Sequence, residues 1–66
     1  MFPNLQAEQA RRKLTNQQVA NYLNISRVTY EQKKKSGRFV VNECNRLCTL
    51  FGCEFAYLFD TANADE

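Results

Sequence analysis

Two helix-start signals lie close together in the first half of this chain, and they limit its fold more than any other feature. Thr15 is followed three residues later by Gln18, and this capping-box spacing predicts a helix over 16–23. Ser26 can accept a hydrogen bond at the start of another helix, which we place over 27–34. Only a short turn fits between the two, so the sequence predicts a helix-turn-helix pattern.

The residues in and around this turn have the sizes and backbone preferences that two crossing helices need. Asn24 readily adopts a left-handed backbone, so it suits a turn that ends the first helix of the pair. Ala20 has the small side chain that lets two helices approach closely. We expect Ile25 to enter the core from the turn and Tyr30 to face inward from the second helix of the pair.

One helix is predicted before this pair, and its apolar spacing is weak. Asn4 can cap a first helix over 5–13. The apolar residues expected to face inward from this segment are Leu5, Ala7, Ala10 and Leu14.

Two helices are predicted after the pair. Asn42 can cap a fourth helix over 42–51, and Gly52 is a typical stop. The expected apolar stripe of this part of the chain contains Val41, Cys44, Leu47, Cys48 and Phe51. A short fifth helix is predicted over 54–59 with three inward residues, Phe55, Leu58 and Phe59.

Size and composition indicate one small helical domain. With 66 residues, 44% of them apolar, we expect an all-α domain over 1–59 and an acidic, frayed tail over 60–66. A chain of this length has a small core, so self-association is the natural supplement. Three cysteines argue against a disulfide framework, and we expect all three to be small core residues: Cys44, Cys48 and Cys53.

Several function classes are excluded by what the sequence lacks. There is no histidine, no Gly-rich phosphate loop and no catalytic pair of carboxylates, so we expect no enzyme activity, metal or cofactor. No apolar run approaches the length of a bilayer span, and no secretory signal is visible. We therefore expect a cytoplasmic protein with no membrane partner.

The net charge of +2 conceals an uneven distribution. Between Arg11 and Arg38 there are eight bases and one acid, Glu31, so this segment has a net charge of +7, whereas the remainder has −5. A basic segment that includes the predicted helix pair is a candidate surface for a polyanion. The alternative is a solvated helical surface rich in lysine.

The second helix of the pair carries side chains that can read DNA bases in the major groove. Arg27 can form two hydrogen bonds with guanine, Gln32 can do the same with adenine, and Val28 offers a methyl contact to thymine. Asn16 and the N–H groups at the start of the other helix would meet a phosphate. The basic residues expected to flank the groove are Lys33, Lys34, Lys35 and Arg38.

The helix pair and the C-terminal third of the chain both resemble one known family. The segment 14–30, LTNQQVANYLNISRVTY, resembles the LTQEELAxxLGISRxTY pattern of the Cro/C1-type helix-turn-helix regulators of bacteria and their phages. A second block, 39–51 followed by FAYLF at 55–59, is similar to the family's two closing helices and their LFGVSxxYLF ending. The resemblance covers about 5–59 and implies a compact five-helix, lambda-repressor-like DNA-binding domain.

The resemblance also implies roles for individual residues. It gives base-reading positions to Arg27, Val28 and Gln32. The expected phosphate-contacting residues are Asn16, Gln17, Thr29, Lys33, Lys35 and Arg38. Many family members have an Arg–Glu ion pair where this chain has Gln9 and Lys34, so we expect that ion pair to be absent here.

The expected function is therefore sequence-specific binding of double-stranded DNA by a transcriptional regulator of the phage or prophage repressor or Cro-like kind. We expect a two-fold homodimer on a near-palindromic operator and no small-molecule effector. The alternative, from another class, is an antitoxin-like or adaptor module that binds proteins through the same fold. Tyr57 either packs in the core or faces a partner subunit, because the resembling family often dimerises near this end.

Overall fold

The structure, a computed structural model, describes residues 2–61. Those residues form five helices and no strand, which confirms the predicted all-α class. The helices are α1 (Pro3–Arg11), α2 (Asn16–Leu23), α3 (Arg27–Ser36), α4 (Val41–Phe51) and α5 (Phe55–Leu58). None of these described helices has the length and apolar character needed to cross a membrane. Most of the predicted acidic tail, 62–66, lies outside the described residues.

The predicted helix pair forms, with both caps in place. The Thr15 hydroxyl accepts from the Gln18 N–H at 3.1 Å, and the Gln18 side chain accepts from the Thr15 N–H at 2.9 Å. Asn24 ends α2 in the left-handed conformation, with φ of 64°. Ser26 Oγ accepts from the Thr29 N–H at 3.1 Å and starts α3. Local sequence signals therefore determine this part of the fold.

One apolar core lies between the helices. Its buried members are Leu5, Val19, Ala20, Leu23, Tyr30, Leu47, Phe51 and Leu58. Ala20 is completely buried, and α2 packs against α3 more extensively than any other two described helices pack. Ile25 is half-buried against the core, as predicted. Within α3, all of whose residues are described, Tyr30 is the one buried side chain.

The first helix differs from the prediction in its ends and in its inward face. It begins with Pro3 in the first turn, and the Asn4 side chain donates to the Tyr57 carbonyl at 2.8 Å instead of capping it. Besides Leu5, the buried residues of α1 are two polar ones, Glu8 and Gln9. The predicted inward alanines, Ala7 and Ala10, are exposed. The polar pair is buried because both side chains bind groups from other parts of the fold.

The start of α4 departs from the prediction, and so does one residue of α5, although the short fifth helix forms and buries Leu58 as predicted. Val41 is 76% exposed because α4 begins at this residue, and the Glu43 carboxylate accepts from the Val40 N–H at 3.1 Å. Asn42 is therefore inside the helix and not its cap. Phe55 is 58% exposed, because α5 is a single turn that buries Leu58. These two apolar residues were expected in the core.

An aromatic cluster joins the two ends of the described chain to the connector between α3 and α4. Phe2 lies 5.2 Å from Phe59 and 6.0 Å from Phe39, measured between ring centroids. Phe39 also lies 5.7 Å from Phe59. This cluster extends the core beyond the helices.

The three cysteines are reduced and contribute to packing to different degrees. Cys44 is buried, whereas Cys48 and Cys53 are half-buried against the core. Burial raises the pKa of Cys44 and of Cys48, so their thiolate forms are disfavoured at neutral pH. The prediction of three core thiols is therefore correct for one residue and partly correct for two.

Candidate nucleic-acid interface

A shallow concave surface of about 430 Å³ lies between the start of α2 and the outer side of α3. The residues that line it are Asn16, Val28, Glu31, Gln32, Lys34 and Lys35. All of them except Glu31 were predicted to contact DNA bases or phosphates or to flank the groove. We call this region the α2/α3 surface.

The three predicted base-reading residues are all exposed on α3. Val28 leaves 53% of its surface open to solvent, so its methyl groups are accessible to a ligand. Gln32 is exposed one helical turn further along. The Arg27 side chain is about half-exposed and joins the α2/α3 surface through an ion pair with Glu31.

The Arg27–Glu31 ion pair occupies one guanidinium donor and leaves the others available. Arg27 Nη1 lies 2.8 Å from Glu31 Oε2, one turn along α3. An arginine has five N–H donors, so about four remain for a ligand. Hydrogen bonds from Asn16 and from Arg27 hold the pKa of Glu31 below its ordinary value. A negatively charged carboxylate therefore lies among the basic residues of this surface.

Asn16 uses both ends of its side-chain amide inside the protein. Its Oδ1 accepts from Gln9 Nε2 at 2.9 Å and from Lys34 Nζ at 3.0 Å. Its Nδ2 donates to Glu31 Oε2 at 3.1 Å. The predicted phosphate contact from this residue is therefore limited to one Nδ2 hydrogen and the backbone N–H.

Of the two lysines predicted to contact phosphates, Lys33 is paired with a carboxylate, whereas Lys35 is exposed. Its ammonium lies 2.8 and 3.0 Å from the two carboxylate oxygens of Glu43, a buried residue. A carboxylate taken out of water needs such a partner, so Lys33 is held by the fold and its charge is balanced. Lys35 and Arg38 are exposed, and their ammonium and guanidinium groups are open to a phosphate.

Gln17 and Thr29, the remaining predicted phosphate contacts, make short-range hydrogen bonds. Gln17 Nε2 donates to Asn21 Oδ1 at 2.9 Å on the exposed side of α2. Thr29 Oγ1 accepts from Ser26 Oγ at 2.8 Å and is half-buried. Neither residue lines the α2/α3 surface.

Lys34 is held among amide oxygens, one of them from Gln9, at the position where the sequence predicts that an ion pair is absent. Its Nζ donates to Gln6 Oε1 at 2.7 Å, to Asn16 Oδ1 at 3.0 Å and to Gln9 Oε1 at 3.4 Å. It also lies 5.0 Å from the centre of the Tyr30 ring. Burial lowers the pKa of Lys34. The missing ion pair is thus replaced by hydrogen bonds that join α1, α2 and α3.

A second polar cluster balances part of the basic charge at the end of α1. The buried Glu8 carboxylate accepts from Arg12 and from the Tyr57 hydroxyl, the latter at 2.9 Å, and Arg11 lies 3.4 Å away. Arg12 also donates to the Phe51 carbonyl. The bonds from Arg12 and Tyr57 lower the pKa of Glu8. The +7 segment therefore presents less free charge than its sequence indicates.

No role was predicted from the sequence for two residues of this region. Glu31 lines the α2/α3 surface, and Gln9 forms hydrogen bonds with Asn16 and Tyr30 behind it. Glu31 could have been found, because a carboxylate four residues after Arg27 on a helix can form an ion pair with it. Gln9 could not, because its partners, Tyr30 and Asn16, lie on other helices.

The α2/α3 surface offers an amide and exposed methyl groups from Gln32 and Val28, and the adjoining Arg27 adds a fork of N–H donors. These are the groups that form hydrogen bonds and apolar contacts with base edges in a major groove. Comparisons of this chain with protein-family models, with curated proteins and with solved structures find no match.

Proposed function

We propose that this chain is a sequence-specific, double-stranded DNA-binding transcriptional regulator of the phage or prophage repressor or Cro-like kind. In this proposal the fold is lambda-repressor-like, α3 enters the major groove and the start of α2 approaches the phosphate backbone. The role is non-enzymatic and needs no metal or cofactor.

The observation that carries the proposal is the two-sided character of α3. Its inner side is anchored by the buried Tyr30, Val28 and Gln32 are exposed on the opposite side, and Arg27 is exposed at the first position of the helix. Arginine, glutamine and a methyl-bearing side chain match guanine, adenine and thymine respectively. This combination at the exposed start of one helix supports base reading in a major groove.

Exposed cations beside α3 supply the contacts that fix the orientation of the helix on DNA. Lys35 and Arg38 are open to solvent, and the first N–H groups of α2 have no partners within their own helix. Contacts of this kind bind any DNA sequence and weaken as salt rises. Specificity then comes from the base-reading residues alone.

A single copy of α3 would read about half of an ordinary site, so we propose a two-fold homodimer on a near-palindromic operator. Half-sites about 10 base pairs apart would place two copies of α3 on one side of the duplex.

Selection of bound duplexes from a random library tests the proposal, followed by fluorescence-anisotropy titrations of the selected site at low and moderate salt. We expect a site with two-fold symmetry and an affinity well above that for random duplex. Equal affinity for the selected and random duplexes at both salt concentrations would contradict the proposal.

The Arg27→Ala variant tests the assignment of base reading. It should lose about 1–3 kcal/mol of binding free energy, concentrated at one base position. Arg46→Ala is the matched control, because Arg46 is an exposed arginine on α4 that donates to the Tyr22 carbonyl. Similar losses for the two variants at every base position would contradict base reading by Arg27.

A second candidate function is favoured by exposed apolar side chains outside the α2/α3 surface. Val40, Val41 and Phe55 each leave more than half of their surface open to solvent. Exposed apolar surface is what an antitoxin-like or adaptor module would use to bind another protein. In that case Arg27→Ala would leave partner binding unchanged, whereas Phe55→Ser would weaken it.

A further inference from the structure

A continuous line of hydrogen bonds runs from the buried ring of Tyr30 to the exposed guanidinium of Arg27. The Tyr30 hydroxyl donates to Gln9 Oε1 at 2.7 Å, and Gln9 Nε2 donates to Asn16 Oδ1 at 2.9 Å. Asn16 Nδ2 then donates to Glu31 Oε2 at 3.1 Å, and Arg27 Nη1 donates to the same oxygen at 2.8 Å. The line therefore connects α1, α2 and α3.

The direction of each amide in this line is fixed by a further bond. Gln9 Nε2 also donates to the Leu14 carbonyl at 3.1 Å, so the Gln9 oxygen points to the Tyr30 hydroxyl. Lys34 Nζ donates to Asn16 Oδ1, so that oxygen cannot turn toward Glu31. Only the Asn16 amino group can then face the Glu31 carboxylate, which holds that carboxylate in one position.

We propose that Glu31 and Asn16 are positioning residues that hold the Arg27 guanidinium in the orientation in which it reads guanine. This inference rests on the proposed DNA-binding function and names the residues that give Arg27 its specificity. The ion pair uses one donor of Arg27, and the remaining donors are enough for two parallel bonds to one base. A long side chain held in place before binding loses less conformational freedom on binding.

The charge of Glu31 supports a role in specificity over a role in affinity. A carboxylate that lines the α2/α3 surface repels phosphates, so it weakens binding to any DNA sequence. Specific proteins commonly retain a repulsive group that penalises wrong partners more than the correct one. Glu31 is therefore expected to reduce non-specific affinity while it sharpens selection by Arg27.

The test measures dissociation constants of the full chain for the selected site and for a set of duplexes that each change one base pair. In the wild-type protein, changing the guanine read by Arg27 should weaken binding by between about 5-fold and about 150-fold. In Glu31→Ala this penalty should fall toward the value for Arg27→Ala, while the penalties at the base pairs read by Val28 and Gln32 stay unchanged. Asn16→Ala should show the same selective loss to a smaller extent.

Two further variants separate positioning from charge and from folding. Glu31→Gln keeps an oxygen for both donors, so it should restore part of the lost discrimination. Glu54→Ala removes one acid from an exposed position before α5, so it should tighten binding to all duplexes alike without changing any penalty. Thermal melting of Glu31→Ala checks that the variant is folded.

Each outcome decides the inference. A Glu31→Ala variant with wild-type penalties, or with equal losses at every base pair, would overturn the positioning role and leave the proposed function intact. A wild-type chain that binds all duplexes alike would overturn the proposed function and this inference with it.

Discussion

Removing the hydroxyl of Tyr30 should destabilise the protein because it removes one buried hydrogen bond, the one to Gln9. The Tyr30→Phe variant keeps the ring that fills the core between α2 and α3. It loses the 2.7 Å bond that the hydroxyl donates to Gln9 Oε1. That oxygen is then left with Lys34 Nζ at 3.4 Å as its remaining partner. Because Gln9 is buried, water cannot easily replace the missing donor.

The size of this effect follows from the burial of both partners. A hydrogen bond between neutral groups contributes about 1 kcal/mol net, and a buried acceptor left poorly paired adds to the loss. We therefore expect the free energy of unfolding to fall by about 1–2 kcal/mol. For a domain of this size the melting temperature should fall by about 5–15 °C.

Urea unfolding followed by far-UV circular dichroism measures this change. The slope of the free energy against urea concentration should stay constant, because the surface exposed on unfolding is nearly the same. Tyr22→Phe is the matched control, since it removes a hydroxyl from an exposed tyrosine and should change stability by less than about 0.5 kcal/mol. Equal stabilities for Tyr30→Phe and Tyr22→Phe would show that the buried bond to Gln9 does not stabilise the fold.

Three other measurements test the packing, the acid cluster and the free cations. Leu47→Ala should lower the free energy of unfolding by about 2–5 kcal/mol in urea because Leu47 is fully buried, and a loss no larger than that of the half-buried Leu50→Ala would contradict this. The folded pKa of Glu8 is below its ordinary 4.5, so its stabilisation is present above that pH and is lost as the pH falls through the folded value. Melting temperatures should therefore fall as the pH is lowered below about 4.5, and they should fall less steeply in Tyr57→Phe. Lys35→Ala should reduce the slope of log affinity against log salt by about 1 on any duplex, and an unchanged slope would exclude its phosphate contact.

The sequence predicts the helix pair well because its signals act over three or four residues. The capping box at Thr15, the left-handed Asn24 and the cap at Ser26 each depend on local hydrogen bonds. The inward face of α1 was wrong for the opposite reason. Glu8 and Gln9 are buried because their partners, Tyr57 and Tyr30, lie far along the chain, and apolar spacing cannot reveal that.

In the candidate site too, features set within one helix were predictable, whereas contacts between helices were not. The exposure of Val28 and Gln32 follows from helical periodicity, because both lie opposite the inward Tyr30, and Arg27 is exposed because it is the first residue of α3. The pairing of Lys33 with Glu43 joins two helices across a turn, and it depends on where α4 begins. The sequence therefore predicts which residues of α3 are exposed better than it predicts which cations are free.

The anchoring of α3 by one buried ring has a consequence for how readily its specificity can change. Since Tyr30 is the one buried side chain among the described residues of α3, the exposed positions on that helix contribute little to folding. If the proposed function holds, substitutions at Val28 or Gln32 should alter the preferred operator without a comparable loss of stability. A library of variants at these positions is a practical way to change recognition, provided that Tyr30 and the capping residues Thr15 and Ser26 stay constant.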